Sequence, residues 1–313
     1  MEVKQGRGEV LRPMVRHVSR VGYVKKGIVK RKNGRLKRHM NTPNCCPEVP
    51  MATLLQELFL SCCEVFKGPN TIPLPCDVTK LCQIIDKMKA EDVGLSSDIH
   101  FFNPTDAVKG TPQRVTYTTI YQCNNFSICI FFIPTNGVIP LHNHPGMTVF
   151  SKLLLGNTHI KSYDWVDQAS DNEDIIVPSS SRFRLAKLKA NSVFRAPCNT
   201  SVLYPTTGGN IHEFRAITPC AVLDVIGPPY SKEDGRDCSY YKDHPYSSYS
   251  TNGENSSNKV VEKEVETSGY AWLEEIEMAE ECEMDVIEYM GPQIMDNKFR
   301  RRVLAARRIM CNY

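Results

Sequence analysis

The pattern of hydrophobic positions changes from helical to strand-like near residue 115. Residues 51–66 carry apolar side chains at helical spacing, and a second helix is predicted that is capped by Asp77 and runs to about Lys89. Short alternating or wholly apolar segments follow, separated by glycine, proline and asparagine turns. They predict strands at residues 115–122, 126–133, 147–155, 159–166, 183–190, 201–204, 211–218 and 221–226. The predicted fold is therefore mainly β, a jelly roll with short N-terminal helices packed on it.

Polar and charged stretches divide the chain into three regions. We predict a folded domain at residues 49–294, with helices in 51–90, a barrel at about 113–230 and a C-terminal return at about 269–294 that includes a strand at 285–289. Residues 168–181 and 247–257 are polar insertions with a loop-like or disordered composition. Residues 1–48 are predicted to be a disordered basic arm, and residues 295–313 a basic tail.

The basic arm concentrates positive charge that the net charge of +3 conceals, because Glu2 and Glu9 are the only acidic residues among the first 40. Such a cluster resembles a nuclear localisation signal or a weak nucleic-acid-binding arm, and it is equally compatible with a solvated tail. No recognition element with base-reading side chains is evident, so specific nucleic-acid binding is not expected. We expect the protein in the nucleus and cytoplasm.

Length and composition point to one large domain inside the cell. The chain has 313 residues, of which 41% are hydrophobic, and no apolar run approaches the roughly 18 residues of a membrane helix. The N-terminus lacks the apolar core of a secretory signal. Thirteen cysteines are an odd number without zinc-finger spacing, which favours free thiols in a reducing compartment. We expect a monomer without a membrane partner.

Two histidine motifs carry the candidate chemistry. Residues 141–147 read Leu-His-Asn-His-Pro-Gly-Met, and on an extended backbone His142 and His144 would point to the same side. Residues 208–212 read Gly-Gly-Asn-Ile-His, so a second glycine turn is followed by a strand that carries His212. Packed or exposed histidines are the ordinary alternative for one His-x-His motif, but the two motifs together favour a metal site.

This pair of motifs resembles the two-part signature of the cupin barrel, a double-stranded β-helix in which both motifs line one pocket. Most cupins add a glutamate ligand after the second histidine, whereas here Val149 occupies that position beside Thr148. Three neutral histidines leave a divalent ion with its full charge, which favours an anionic ligand such as a thiolate. Fe(II) usually takes two histidines and a carboxylate, and a substrate that brings its own negative charge suits a third histidine instead. Zn(II) is the alternative metal.

Several further motifs occur in the order of one family. They lie at residues 140–147, 208–212, 217–225, 228–231 and 272–275. On these residues the chain resembles the plant cysteine oxidases, in the thiol dioxygenase family that also includes animal 2-aminoethanethiol dioxygenase. The resemblance implies an Fe(2+) enzyme that adds both atoms of O2 to the N-terminal cysteine of target proteins and forms the sulfinic acid. It also implies targets such as ethylene response factor transcription factors, the N-degron pathway and the hypoxia response.

Two other functions stay open. A dioxygenase of small thiols, cysteamine or free cysteine, would use the same three histidines. A non-catalytic cupin that binds a metal or a small ligand, acting as a nuclear regulator, is favoured mainly by the basic arm.

The resemblance also assigns roles to individual residues. It implies iron ligands at His142, His144 and His212, an acid near the metal at Asp224, and a tyrosine and a cysteine at the pocket mouth, Tyr230 and Cys238. Without it, Asp224 reads as an acid in a buried strand that needs a partner, or as a strand-end residue bonded to a backbone amide. Without the resemblance, Cys238 is predicted to be a solvent-exposed thiol in a loop, and Tyr230 a residue that anchors a loop. A Cys–Tyr crosslink stays open.

The remaining histidines have no partner at ligand spacing. Only His159, on a predicted strand, is a candidate for the pocket edge, and His244 is predicted to lie in a polar loop.

Overall fold

The computed structural model describes residues 53–69, 71–96, 114–166, 182–249 and 269–296. The predicted basic arm and the insertion at 168–181 lie outside these residues, as do most of the insertion at 247–257 and all of the tail beyond residue 296. No helix within these described ranges is long and apolar enough to cross a membrane.

Two helices precede the strands, as predicted. Helix α1 is Leu54–Val65, and the side-chain oxygen of its N-cap Thr53 accepts a hydrogen bond from the Gln56 amide at 3.2 Å. Helix α2 is Pro75–Lys87. The prediction that Asp77 caps this helix is wrong, because the N-cap is Leu74, three residues earlier, and Pro75 occupies the first position of the helix, where the missing proline N–H costs nothing. Asp77 lies within the first turn.

Twelve strands are assigned in the described residues. They are β1 (Thr116–Gln122), β2 (Ser127–Ile133), β3 (Val138–His142), β4 (Thr148–Leu155), β5 (Asn157–Trp165), β6 (Phe183–Arg195), β7 (Ser201–Leu203), β8 (Ile211–Ala216), β9 (Cys220–Gly227), β10 (Tyr240–Pro245), β11 (Tyr270–Ile276) and β12 (Asp285–Val286). The eight predicted strands are all present within a few residues of their expected ends, except that β6 continues to Arg195. The mainly β prediction is confirmed.

The strands form two six-stranded sheets. The first has the order β12-β1-β2-β9-β4-β7, and the second, β10-β11-β6-β5-β8-β3, closes on itself through β10 and β3. This is the double-stranded β-helix of the cupin fold. Closure depends on β10, which was predicted as a polar loop around His244, and on the pairing of Tyr240 with His142. The strand predicted at 285–289 is shorter, and β12 pairs in parallel with β1.

The helices cover the outer face of the first sheet. Phe66, which follows α1, packs against Phe126 and Phe150, with ring centroids 6.0 and 6.4 Å away. Gly227 gives this ring its space, since a Cβ at that position would lie 2.2 Å from it. The end of the C-terminal segment that begins at residue 269 contacts α1, because the Gln56 side chain forms two hydrogen bonds with the backbone of Met295. The inner faces of the two sheets enclose the cavity that contains the candidate site.

Candidate metal centre

Three histidines meet between the two sheets. The possible ligand atoms of His142, His144 and His212 all lie within 4.8 Å of one another. His142 and His212 are Cα partners across β3 and β8, and the Nε2 atoms of His144 and His212 are 3.0 Å apart. The pairing of β3 with β8 thus joins two motifs that are about 70 residues apart in the sequence.

The position of His144 has a different cause from the one predicted. Strand β3 ends at His142, so His144 lies in the loop before β4 and not on the same strand. The two-residue alternation of an extended strand therefore does not account for its direction. Met147 donates its amide to the carbonyl oxygen of His144 at 3.2 Å, and Gly146 adopts a positive φ of 66°, so a tight turn sets the ring's approach.

Hydrogen bonds fix which ring nitrogens are free. Nδ1 of His142 lies 2.8 Å from the carbonyl oxygen of Pro140 and must donate to it, which leaves Nε2 with a lone pair. The hydroxyl of Tyr230 donates to the carbonyl oxygen of Asn143 at 2.8 Å and lies 2.8 Å from Nδ1 of His144. That hydroxyl therefore accepts the Nδ1 proton of His144. Nε2 of His144 is then also a free donor atom for a metal.

Burial keeps the three rings neutral. It lowers the pKa of His142 to about 4. It also lowers the pKa values of His144 and His212, and the neighbouring imidazoles lower them further. The Nε2 lone pair of His144 lies 3.0 Å from Nε2 of His212. A neutral His212 ring either donates an Nε2 proton to that lone pair or, as the other tautomer, offers a second lone pair to a cation. The three residues therefore fit a divalent metal, and this donor set suits Fe(II) or Zn(II).

Asp224 is buried in the first sheet beside the histidines. It lies on β9, where Cys129 and Ser151 are its Cα partners on either side, and only 4% of the residue is exposed. Burial raises its pKa to about 7, while the Ser151 side chain opposes this increase. Its Oδ1 atom has no hydrogen-bond partner. A buried carboxylate oxygen without a partner is a favourable acceptor for a positively charged ligand group.

One cavity of about 400 Å³ contains all six predicted site residues. The three histidines and Asp224 share it with Tyr230 and Cys238. Its other lining residues come mainly from β1, β2, β9 and the return: Tyr117, Thr119, Gln122, Ser127, Cys129, Phe131, Ile139, Phe214, Val222, Ile226, Pro229, Tyr240 and Met284. His159 is absent from this lining, so the structure does not bring it to the pocket.

Tyr230 and Cys238 have more specific surroundings than a loop anchor and an exposed thiol. Cys238 is half-buried and forms side-chain hydrogen bonds with Tyr240 and Tyr230. Burial raises the pKa of its thiol, so the thiol stays protonated at neutral pH. The Tyr240 ring lies 6.4 Å from that of His142. Tyr240 was missed because its strand, β10, carries no clear alternation.

Asn210 was also missed as a site residue, although it lies inside the quoted Gly-Gly-Asn-Ile-His motif. Its side chain bonds to both backbone polar groups of His144. The only signal in the sequence was its position two residues before a candidate ligand.

Comparisons with known proteins agree with this geometry. The family model described as PCO_ADO matches residues 84–294. Plant cysteine oxidase 1 of Arabidopsis thaliana is 47% identical over 249 residues, which cover 78% of this chain and 81% of that protein. Plant cysteine oxidase 2 of the same plant is 50% identical over 245 residues, 77% of this chain and 83% of the relative. The 2-aminoethanethiol dioxygenase of Mus musculus is 28% identical over 276 residues, 80% and 99% of the two chains.

The family match covers more than half of the chain, and the two plant relatives are aligned over most of their own length. The family predicted from the sequence motifs is confirmed. The chain therefore belongs to the PCO_ADO family of thiol dioxygenases.

Proposed function

We propose that this protein is an Fe(II)-dependent dioxygenase that oxidises the N-terminal cysteine of target proteins to cysteine sulfinic acid. The observation that carries the proposal is one cavity lined both by three neutral histidines, with no carboxylate in their cluster, and by Asp224, whose buried Oδ1 has no hydrogen-bond partner. An N-terminal cysteine offers two complementary groups, a thiolate for the metal and an amine for the carboxylate. The names of the two plant relatives, cysteine oxidases, support cysteine as the oxidised residue.

The protein's own residues orient the reactants. Bound Fe(II) would supply the charge that favours the substrate thiolate and the electrons that activate O2. His142, His144 and His212 would hold it, and as only three protein ligands they would leave coordination positions for the substrate and O2. Asp224 accepts a hydrogen bond from the substrate amine at Oδ1, which orients the cysteine backbone. The thiol and O2 together contain all the atoms of the sulfinic acid, so no cosubstrate is required.

Tyr230 stabilises the orientation of the His144 ring. Its hydroxyl bonds to both the Nδ1 proton of His144 and the carbonyl oxygen of Asn143, which fixes the tautomer and the ring plane. The apolar part of the wall, with Phe131, Ile139 and Ile226, limits water near the sulfur.

The test uses the full chain loaded with Fe(II) without oxygen and then mixed with O2 and a peptide that begins with cysteine. The expected result is a peptide heavier by two oxygen atoms, both derived from O2, with one O2 consumed per peptide. The same peptide with an acetylated amine is the control, because its nitrogen carries no charge for Asp224. Equal oxidation of the acetylated peptide would refute recognition of the N-terminal amine. If neither peptide is oxidised, the proposed activity is refuted.

A small thiol is the alternative substrate, since one relative is a 2-aminoethanethiol dioxygenase. The same assay with 2-aminoethanethiol and with free cysteine separates the two functions. A kcat/KM for either small thiol that exceeds the value for the peptide would favour the alternative. Stoichiometric metal without O2 uptake on any thiol would favour a non-catalytic cupin.

In the cell, we infer that the sulfinic acid directs targets such as ethylene response factor transcription factors to the N-degron pathway, so that O2 controls their abundance. The basic arm at 1–48 supports a nuclear as well as a cytoplasmic location. A reporter that begins with such a target sequence should accumulate in cells lacking this enzyme, and deletion of the arm should reduce the nuclear fraction of a fluorescent fusion. Unchanged reporter levels would refute this cellular role.

A further inference from the structure

His144 is the one histidine of the centre that no strand holds. His142 and His212 lie on β3 and β8, and a sheet ladder fixes their backbones. His144 lies two residues beyond the end of β3, in the loop that leads to β4. Because a metal requires its ligands within a few tenths of an ångström, something other than a ladder must position this residue.

The side chain of Asn210 takes the place of the missing strand. Its Oδ1 accepts the amide proton of His144 at 3.1 Å, and its Nδ2 donates to the carbonyl oxygen of the same residue at 2.9 Å. One carboxamide therefore pairs with both polar groups of one residue, as a hydrogen-bonded neighbour does in an antiparallel sheet. Nδ2 also donates to the carbonyl oxygen of Tyr204 at 2.7 Å. Asn210 is 6% exposed, so water does not compete for these bonds.

A second residue fixes Asn210 itself. Asp164, on β5, accepts three successive backbone amides, from Gly208 at 3.0 Å, Gly209 at 2.7 Å and Asn210 at 3.1 Å. Both glycines have positive φ values, 86° and 83°, a conformation that turns successive amides toward one anion. The buried carboxylate thus holds the turn from which the Asn210 side chain reaches across to His144.

We infer that Asn210 is a positioning residue for the metal centre, which acts through the backbone of His144 and is held in turn by Asp164. The inference rests on the proposed function, in which the three histidines bind Fe(II). Its consequence is that the second histidine motif supplies more than the ligand His212: it also places a ligand of the first motif. Loss of the Asn210 amide should weaken metal binding roughly 10- to 100-fold, the usual effect of removing a group that orients a ligand.

The experiment compares the metal-free full chain with Asn210→Ala and Asn210→Asp. The alanine variant removes all three side-chain bonds. The aspartate variant keeps the size and the acceptor but turns an oxygen toward the carbonyl groups of His144 and Tyr204, where the parent has donors. Asn191→Asp, an exposed asparagine on β6, is the matched control. Affinity for Fe(II) is measured by anaerobic equilibrium dialysis, and the visible spectrum of bound Co(II) reports the coordination geometry.

The expected result is a Kd for Fe(II) raised about 10- to 100-fold in both variants, an altered Co(II) spectrum and an unchanged control. Denaturant unfolding of the metal-free proteins shows that the variants are folded. A role in folding alone would lower that stability without changing the Kd or the spectrum of the folded fraction. Parent-like affinity and spectrum in either folded variant would overturn the inference, as would failure of both variants to fold. Absence of Fe(II) binding by the parent would instead refute the proposed function.

Discussion

Replacing Asp224 by asparagine should make the metal-free protein more stable while making the enzyme slower. The carboxyl is 4% exposed, its Oδ1 has no partner, and burial raises its pKa from the ordinary 3.8 to about 7. At about 1.4 kcal/mol per pKa unit, burying the ionised form costs at most about 4 kcal/mol. The asparagine amide is polar as well and recovers only part of this energy. We expect a gain of about 1–3 kcal/mol in the free energy of unfolding at pH 8.

The pH dependence identifies the cause of this gain. Because the folded-state pKa lies above the unfolded-state value, the folded protein retains a proton that the unfolded chain releases between about pH 4 and 7. The contribution of Asp224 to the stability of the parent therefore falls as the pH rises through that window, and it becomes level above its folded-state pKa of about 7. The three histidines are present in both proteins, so their own pH dependence cancels in the difference between parent and variant. Asp224→Asn lacks this loss, so the two proteins should differ little at pH 4.5 and most at pH 8.

The assay is urea unfolding of the metal-free proteins at several pH values, together with turnover of an N-terminal-cysteine peptide by the iron-loaded proteins. Turnover should fall roughly 10- to 100-fold with iron largely retained, since the variant has no charge to accept the substrate amine. Asp285→Asn, on β12 and outside the cavity lining, is the control. A stability difference that does not vary with pH would refute the burial argument, and undiminished turnover would refute the role in substrate binding.

Three further variants test the site and its supports. His212→Ala, like the corresponding change at either other histidine, should remove most bound iron and abolish O2 uptake; elemental analysis showing full iron content would disprove the ligand assignment. Tyr230→Phe removes the acceptor for the Nδ1 proton of His144, so iron affinity by equilibrium dialysis should fall about 10-fold, whereas parent-like affinity would contradict that role. Gly209→Ala should destabilise the protein by more than about 2 kcal/mol in denaturant unfolding, because its φ is 83° and its Cβ would lie 2.5 Å from a serine hydroxyl. Gly235→Ala, with a φ of 70° and open space, isolates the backbone cost, and an equal loss in both variants would disprove the steric part.

Local patterns predicted most of the secondary structure because the burial of each element follows its own periodicity. Both helices and all eight strands predicted between residues 115 and 226 are present. The errors occur where tertiary contacts replace periodicity. Strand β10 has half-buried and exposed residues without alternation, and it is a strand because β11 and β3 lie on either side of it.

In the site, too, some features were predictable from local sequence and others depend on tertiary contacts. The two histidine motifs, through their resemblance to the cupin signature, predicted that His142, His144 and His212 line one pocket, and the structure brings them together. The prediction of a shared strand for the first two was wrong, because β3 ends at His142. Nothing in the sequence distance of 66 residues indicates that the Asn210 side chain pairs with the backbone of His144.

The sequence by itself determined the types of the candidate ligands, the absence of a carboxylate among them, and the class of fold, because these depend on residue identity and local periodicity. Only the tertiary structure decided which polar groups are buried together. The buried environment of Asp224 raises its pKa, and hydrogen bonds hold the backbone of His144 in place, because the fold brings neighbours to both residues from distant parts of the chain. Burial and hydrogen-bond geometry are properties of that assembly, and no single segment specifies them.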